Sequence, residues 1–177
     1  MRGYYGIGVY HPKKEVNIGT LWRSAYSFGA AFLFTIGRRY EHQSSNTTRS
    51  ERHLPLHHYT TFEDFLDHRP HGARLIGVEQ AEGASDIDGF CHPSQALYLL
   101  GAEDHGLPLE ILEQCNIVLS IDTERSLNVA VAGSIVMYSR RLSRERPWHT
   151  LHVARIEKGK TCDETCKHPA IANTEAT

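Results

Sequence analysis

The chain has 177 residues and a mass of 20.0 kDa, with 40% hydrophobic, 23% charged and 9% aromatic residues; that is apolar material for one core, and too little uncompensated charge for a disordered chain. No run approaches the ~18–20 apolar residues of a membrane span, and Met1-Arg2-Gly3-Tyr4-Tyr5 has no signal-peptide pattern, so no membrane partner and a cytoplasmic location are expected, with Cys91, Cys115, Cys162 and Cys166 kept as thiols. The net charge of −2 covers an uneven distribution, with 8 basic and 3 acidic residues over 1–60, 2 and 13 over 61–124, and 9 and 5 over 125–177, so a near-neutral total does not exclude an anionic partner.

In chain order, strand-like and helix-like patterns alternate. Tyr5 to Tyr10 is β-rich and stops before Pro12. Asn17 to Ala30 carries Ile18, Leu21, Trp22, Ala25, Tyr26 and Phe28 at helical spacing, with Asn17 suited to cap it. Ala31 to Ile36 is a short apolar run closed by Gly37, as a buried strand would be. Arg38 to Tyr59 is polar and reads as a long functional or mobile loop. Thr61 to His68 reads as a short helix with Thr61 as cap and Phe62, Phe65 and Leu66 as its apolar face. Arg74–Val78, Ala96–Leu100 and Ile117–Ile121 are the third, fourth and fifth strands, with a short helix over Pro108 to Gln114 between the last two.

Ser126 to about Arg144 is the closing helix, with Ser126 or Asn128 at its start. Its stretch Val129 to Met137 is apolar on almost every side, so cover is expected all round, by the sheet and by a second subunit. The alternation predicts an α/β domain, a mostly parallel sheet flanked by helices, over residues 1–146. Residues 147–177 are expected to form a loosely ordered C-terminal tail.

Several motifs fail on context. Ala154 to Thr161 matches a loose phosphate-binding loop but lacks the strand before and the helix after that the mechanism needs. Cys162, Cys166 and His168 give three ligands where structural zinc takes four, and no HExxH pair exists, so no metal is expected. There is no GxSxG elbow, and the first strand-to-helix passage lacks GxGxxG.

Three segments remain, each at the C-terminal end of a predicted strand, where open α/β sheets place ligands. They are Asn17-Ile18-Gly19-Thr20-Leu21-Trp22-Arg23-Ser24-Ala25, then Leu99-Leu100-Gly101-Ala102-Glu103-Asp104-His105-Gly106-Leu107-Pro108, and Ser126-Leu127-Asn128-Val129-Ala130-Val131-Ala132. Each alone also reads as a capped helix or a tight turn. In this order and spacing they closely resemble the three motifs of the SpoU/TrmH branch of the SPOUT RNA methyltransferases, and the resemblance covers about residues 4–145.

The resemblance implies a deep C-terminal trefoil knot, S-adenosyl-L-methionine as co-substrate without a metal, and methylation of a ribose 2′-hydroxyl in RNA, with tRNA favoured over rRNA. It implies donor contacts at Val78, Glu79, Leu100, Gly101, Ile121, Ser126 and Leu127. Arg23 becomes the catalytic candidate at the strand end, of its own or of a partner subunit's site, while Asn17, Glu103 and Asn128 shape the site. It supports a homodimer. RNA contacts are expected from Arg38, Arg39, Arg49 and Arg52 in the long loop, and from Arg140, Arg141, Arg144 and Arg146 near the last helix end. Ile121-Asp122 departs from the family's Ile-Pro, and the Asp122 to Arg125 linker is short for it. Methylation of rRNA or of a base, and a catalytically inactive knotted RNA-binding protein, remain open at this point.

Overall fold

The computed structural model describes residues 3–38, 40 and 53–144; Arg39, Arg49, Arg52, Arg146 and the 147–177 tail lie outside them. In chain order the elements are β1 (Tyr5–Tyr10), α1 (Glu15–Phe28), β2 (Phe32–Ile36), β3 (Leu56–Tyr59), α2 (Phe62–His68), β4 (Arg74–Val78), β5 (Ser85–Asp86), β6 (Ala96–Leu100), α3 (Leu109–Leu112), β7 (Ile117–Ser120) and α4 (Val129–Arg144). The strands form one sheet in the order β3-β2-β1-β6-β4-β7-β5, and every strand pairing in it is parallel. The expected α/β architecture is present. The chain leaves β1 toward β2 on one side and leaves β6 toward β7 on the other, so the sheet has a switch point between them.

A parallel sheet covered on both faces needs strands apolar on both sides. β6 shows this: all five of its residues are buried. Leu97 and Leu99 face Phe62, Phe65 and Ile111 of α2 and α3, while Tyr98 and Leu100 face Leu21 of α1 and Val136 and Met137 of α4. Burial of each such leucine is worth roughly 1.5–3 kcal/mol.

The helix ends refine the sequence reading. α1 starts at Glu15 behind Lys14, an acid in its first turn meeting the helix dipole. Asn17 is therefore not the cap but a buried residue of that first turn. The helix closes at Gly29 (φ 75°), whose N–H reaches the Tyr26 carbonyl while Ala30 N–H reaches that of Ala25, a left-handed stop that favours glycine. Thr61 caps α2 as expected, accepting from Asp64 N–H at 3.1 Å. Asn128 caps α4, its Oδ1 accepting from Ala130 N–H at 2.9 Å, and Ser126 lies outside the helix.

Two short edge strands, β3 and β5, fall where no strand is expected from sequence. Around α4, Ala130, Val136 and Met137 are buried, but Val131, Tyr138 and Leu142 are 44–52% exposed in the single chain. Arg140, expected to meet RNA, is instead 3% exposed. It donates to the carbonyls of Pro93 (2.6 Å) and Ser94 (2.9 Å) and to Tyr98 Oη (3.1 Å), and its guanidinium lies 4.9 Å from the Tyr5 ring centroid. A charge so fully committed inside the fold is structural and cannot reach a phosphate.

Candidate active site

The sheet register sets the level at which the functional loops leave. Val9 pairs with Leu100, Leu100 with Val78, and Val78 with Leu119, one row across four strands. Glu79 and Gly101, just beyond that row, and Ile121, two residues beyond it, begin loops that, with the segment before α4, wall a cavity of about 490 Å³. Val78, Glu79, Leu100, Gly101, Ile121, Ser126 and Leu127, the seven expected donor positions, all line it, as do Glu103 and Asn128.

Beside the cavity a chain of side-chain hydrogen bonds ties the three motifs together. Asn128 Oδ1 is held by the Ala130 N–H, which turns its amide nitrogen outward to Asn17 Oδ1 at 3.0 Å. Asn17 Nδ2 then donates to Glu103 Oε1 at 2.6 Å, and Lys14 Nζ stands 3.5 Å from Glu103 Oε2. The polarity is fixed at both ends, by a backbone donor and by a carboxylate that only accepts when ionised. Asn17 follows β1 and Glu103 follows β6, so their bond spans the switch point of the sheet.

The loop after β6 is shaped by Gly101 and Gly106. A Cβ at Gly101 would run into the backbone of Gly106 and Leu107. Gly106 (φ 65°) takes a left-handed turn against the Glu79 carboxylate, and Glu79 Oε2 accepts from Leu107 N–H at 2.8 Å. At the rim, Lys13 pairs with Asp104, and its hydrogen bond, with help from His105, holds the Asp104 carboxyl below its ordinary range. Arg38, exposed, donates to the Lys13 carbonyl at 3.0 Å.

Arg23 is not brought to this cavity. It is exposed on α1, six residues past Asn17 and so about 9 Å further along the axis. Within the single chain Arg23 therefore stands apart from the cavity lining. Arg141 is exposed on α4. Lys14, Gln80 and Thr123 also line the cavity without being expected. Among the described residues no cluster of His, Cys, Asp and Glu could hold a metal ion.

The model of the SpoU rRNA Methylase family matches residues 6–138, and the chain belongs to that family. The mouse tRNA (guanosine(18)-2′-O)-methyltransferase TARBP1 is 32% identical over 138 residues, which is 71% of this chain and 8% of that protein. A solved structure described as giving insights into 2-OH methylation of C/U34 on tRNA superposes with a TM-score of 0.70 at 27% identity, covering 81% of this chain and 98% of its own. The SpoU methyltransferase AviRb from Streptomyces viridochromogenes, in complex with AdoMet, gives a TM-score of 0.70 at 25% identity, covering 81% of this chain and 59% of its own.

Proposed function

We propose that this chain is an S-adenosylmethionine-dependent methyltransferase acting on a ribose 2′-hydroxyl of RNA, with tRNA favoured over rRNA. One observation carries the reading: the loops after β4, β6 and β7 and the start of α4 line a single cavity that contains all seven expected donor positions. The residues fit the donor. A volume of about 490 Å³ lies within the ~300–1,000 Å³ of small-molecule sites; Val78, Leu100 and Ile121 offer an apolar wall, and Glu79, Glu103 and Asp104 offer negative charge to a sulfonium. The names of the mouse relative and of the C/U34 structure support tRNA. The trefoil knot belongs to the same reading.

When bound, the donor supplies an electrophilic methyl group on its sulfonium. The chain must then align the 2′-oxygen with that group. A guanidinium has donors only and cannot act as a base, which excludes Arg23 from that role. Its role in this reading is to hold the 2′-oxygen or the adjacent phosphate and stabilise the developing negative charge. Its distance from Asn17 along α1 favours delivery from a second copy. Exposed Val131, Tyr138 and Leu142 on α4 favour the homodimer that would do so, since a subunit interface would remove them from water. Arg38 and Arg141 are the described candidates for RNA phosphates.

Calorimetry is expected to show S-adenosylmethionine or its demethylated product binding the purified protein without metal. Nucleoside mass spectrometry of tRNA treated with protein and donor is expected to show a new 2′-O-methylated nucleoside. A protein that binds RNA and no donor would overturn the reading in favour of a non-catalytic RNA-binding protein.

A further inference from the structure

We infer that Gln80, which no motif marks, is a positioning residue that hangs the outer wall of the cavity on the end of β4. The inference rests on the donor-binding reading above. That wall is the 121–128 loop, which has no helix or strand of its own and contains no proline to stiffen it. It supplies Ile121, Thr123, Ser126, Leu127 and Asn128 to the cavity. A segment of this kind holds one shape only if its polar groups are tied to something rigid.

Gln80 provides the tie. Its Nε2 donates toward Thr123 Oγ1 (2.9 Å), Thr123 O (3.1 Å) and Ile121 O (3.3 Å). Two of these acceptors are carbonyl oxygens that cannot donate, which settles the orientation of the amide with its nitrogen toward the loop. Thr123 carries the tie onward, its hydroxyl bonding the Arg125 carbonyl at 2.9 Å. The preceding residue, Glu79, grips the opposite wall through Leu107 N–H and accepts from Gln80 N–H at 3.1 Å. Successive residues of an extended segment point to opposite sides, so two neighbours at the end of β4 hold both walls of one cavity at a fixed separation.

The test uses the full chain and two substitutions. Gln80→Met keeps the length and removes both donors, while Gln80→Glu keeps the shape and sets a carboxylate against two carbonyl oxygens. The dissociation constant for S-adenosylmethionine is expected to rise about tenfold in the first and more in the second, with the thermal midpoint within about 2 °C of the parent. Amide exchange is expected to speed up over Thr123 to Leu127 and to stay unchanged at Leu107. The introduced carboxyl can donate once protonated, so the Gln80→Glu defect, taken as a ratio to the parent at each pH, should shrink as pH falls from 7 toward 5; a merely structural loss would not. Unchanged affinity and exchange would overturn the inference, as would a loss of affinity matched by a general loss of thermal stability. A parent protein that binds no donor would instead sink the donor-binding reading, and this inference with it.

Discussion

At its N-terminal end α4 starts from Asn128, beside Glu103 with its side chain 15% exposed and Lys14 at 69%; twelve residues on, at the other end of the helix, Arg140 is 3% exposed. At the cavity end the bonds from Asn128 to Asn17 and from Asn17 to Glu103 are each only partly buried. At the far end, Tyr98 Oη accepts from Arg140 and is hydrogen-bonded to His92 Nδ1 at 2.6 Å, and His92 Nε2 bonds Ser139 Oγ at 3.1 Å. Of the three guanidinium nitrogens of Arg140, the Nε alone has no acceptor among the described residues. The difference separates charge kept available for a ligand from charge consumed by the fold, which no count along the chain distinguishes.

The comparison breaks first, and most widely, at Arg140. Arg140→Ala strips the donor from two carbonyls and the Tyr98 hydroxyl, and each buried group so orphaned costs about 1–3 kcal/mol; urea unfolding is expected to show a loss of about 3–4 kcal/mol in total. Arg141→Ala, one residue on and exposed, should leave stability within about 0.5 kcal/mol and lower the salt dependence of RNA binding instead. If Arg140→Ala unfolds like its parent but weakens RNA binding, the assignment of the two ends is wrong.

That reversal of two adjacent arginines was partly legible in the sequence. Ala130, Gly133, Val136, Met137 and Arg140 recur at helical spacing and are all buried, so the period alone places Arg140 inward, whereas reading Arg140-Arg141 as one basic cluster ignores the ~100° between neighbours. β1, β4 and β6 were legible to the residue, because buried parallel strands are apolar throughout and stop abruptly. β3 was hidden by His57 and His58, polar residues on an edge strand. β5 is two residues long and exists through its pairing with β7. Of the seven cavity-lining positions expected from sequence, Leu100, Gly101, Ser126 and Leu127 lie in the motifs and Val78, Glu79 and Ile121 followed from the resemblance, but the ties between loops were not legible: Gln80 and Lys14 acquire their partners 41 and 89 residues away, and no local pattern encodes that.

At the cavity end the next largest effects concern binding and turnover. Gly101→Val pushes a side chain into the Gly106 and Leu107 backbone, so donor affinity measured by calorimetry is expected to fall a hundredfold or more, roughly 2.7 kcal/mol. Arg23→Ala is expected to leave that affinity unchanged and to slow methyl transfer by roughly a hundredfold. A Gly101→Val protein that binds donor within threefold of its parent would show that the loop can yield, and would remove the rigidity assigned to this end.

The far end should also respond to pH. Burial, and then the neighbouring Arg140 charge, push the His92 pKa down to about 3, while burial pushes the Tyr98 hydroxyl up to about 12. His92 is thus neutral when folded and free to protonate when unfolded. Its contribution is complete above pH 6.5 and is lost as pH falls from there toward 3, by about 2 kcal/mol on reaching pH 5. His92→Gln should abolish that part of the slope in urea unfolding at pH 7 and pH 5. An equal slope in parent and variant would mean that His92 already carries its proton in the fold.

The smallest effect sharpens the comparison most directly, because it removes a cation of the same sign from the opposite end of the same helix. Lys14 meets Glu103 at 3.5 Å with most of its side chain in water, and exposed pairs of this kind contribute about 0–1 kcal/mol. Glu103 keeps its shorter bond to Asn17 whether or not Lys14 is present. Lys14→Ala is therefore expected to change stability by less than about 0.5 kcal/mol and donor affinity by less than about twofold. Glu103→Ala should do more, since it removes the acceptor at the end of the Asn128–Asn17 chain, whereas Glu103→Gln keeps an acceptor and should fall between the two. A Lys14→Ala loss approaching that of Arg140→Ala would mean that the cavity end is tied as rigidly as the far end, and the distinction between available and consumed charge would fail on its own terms.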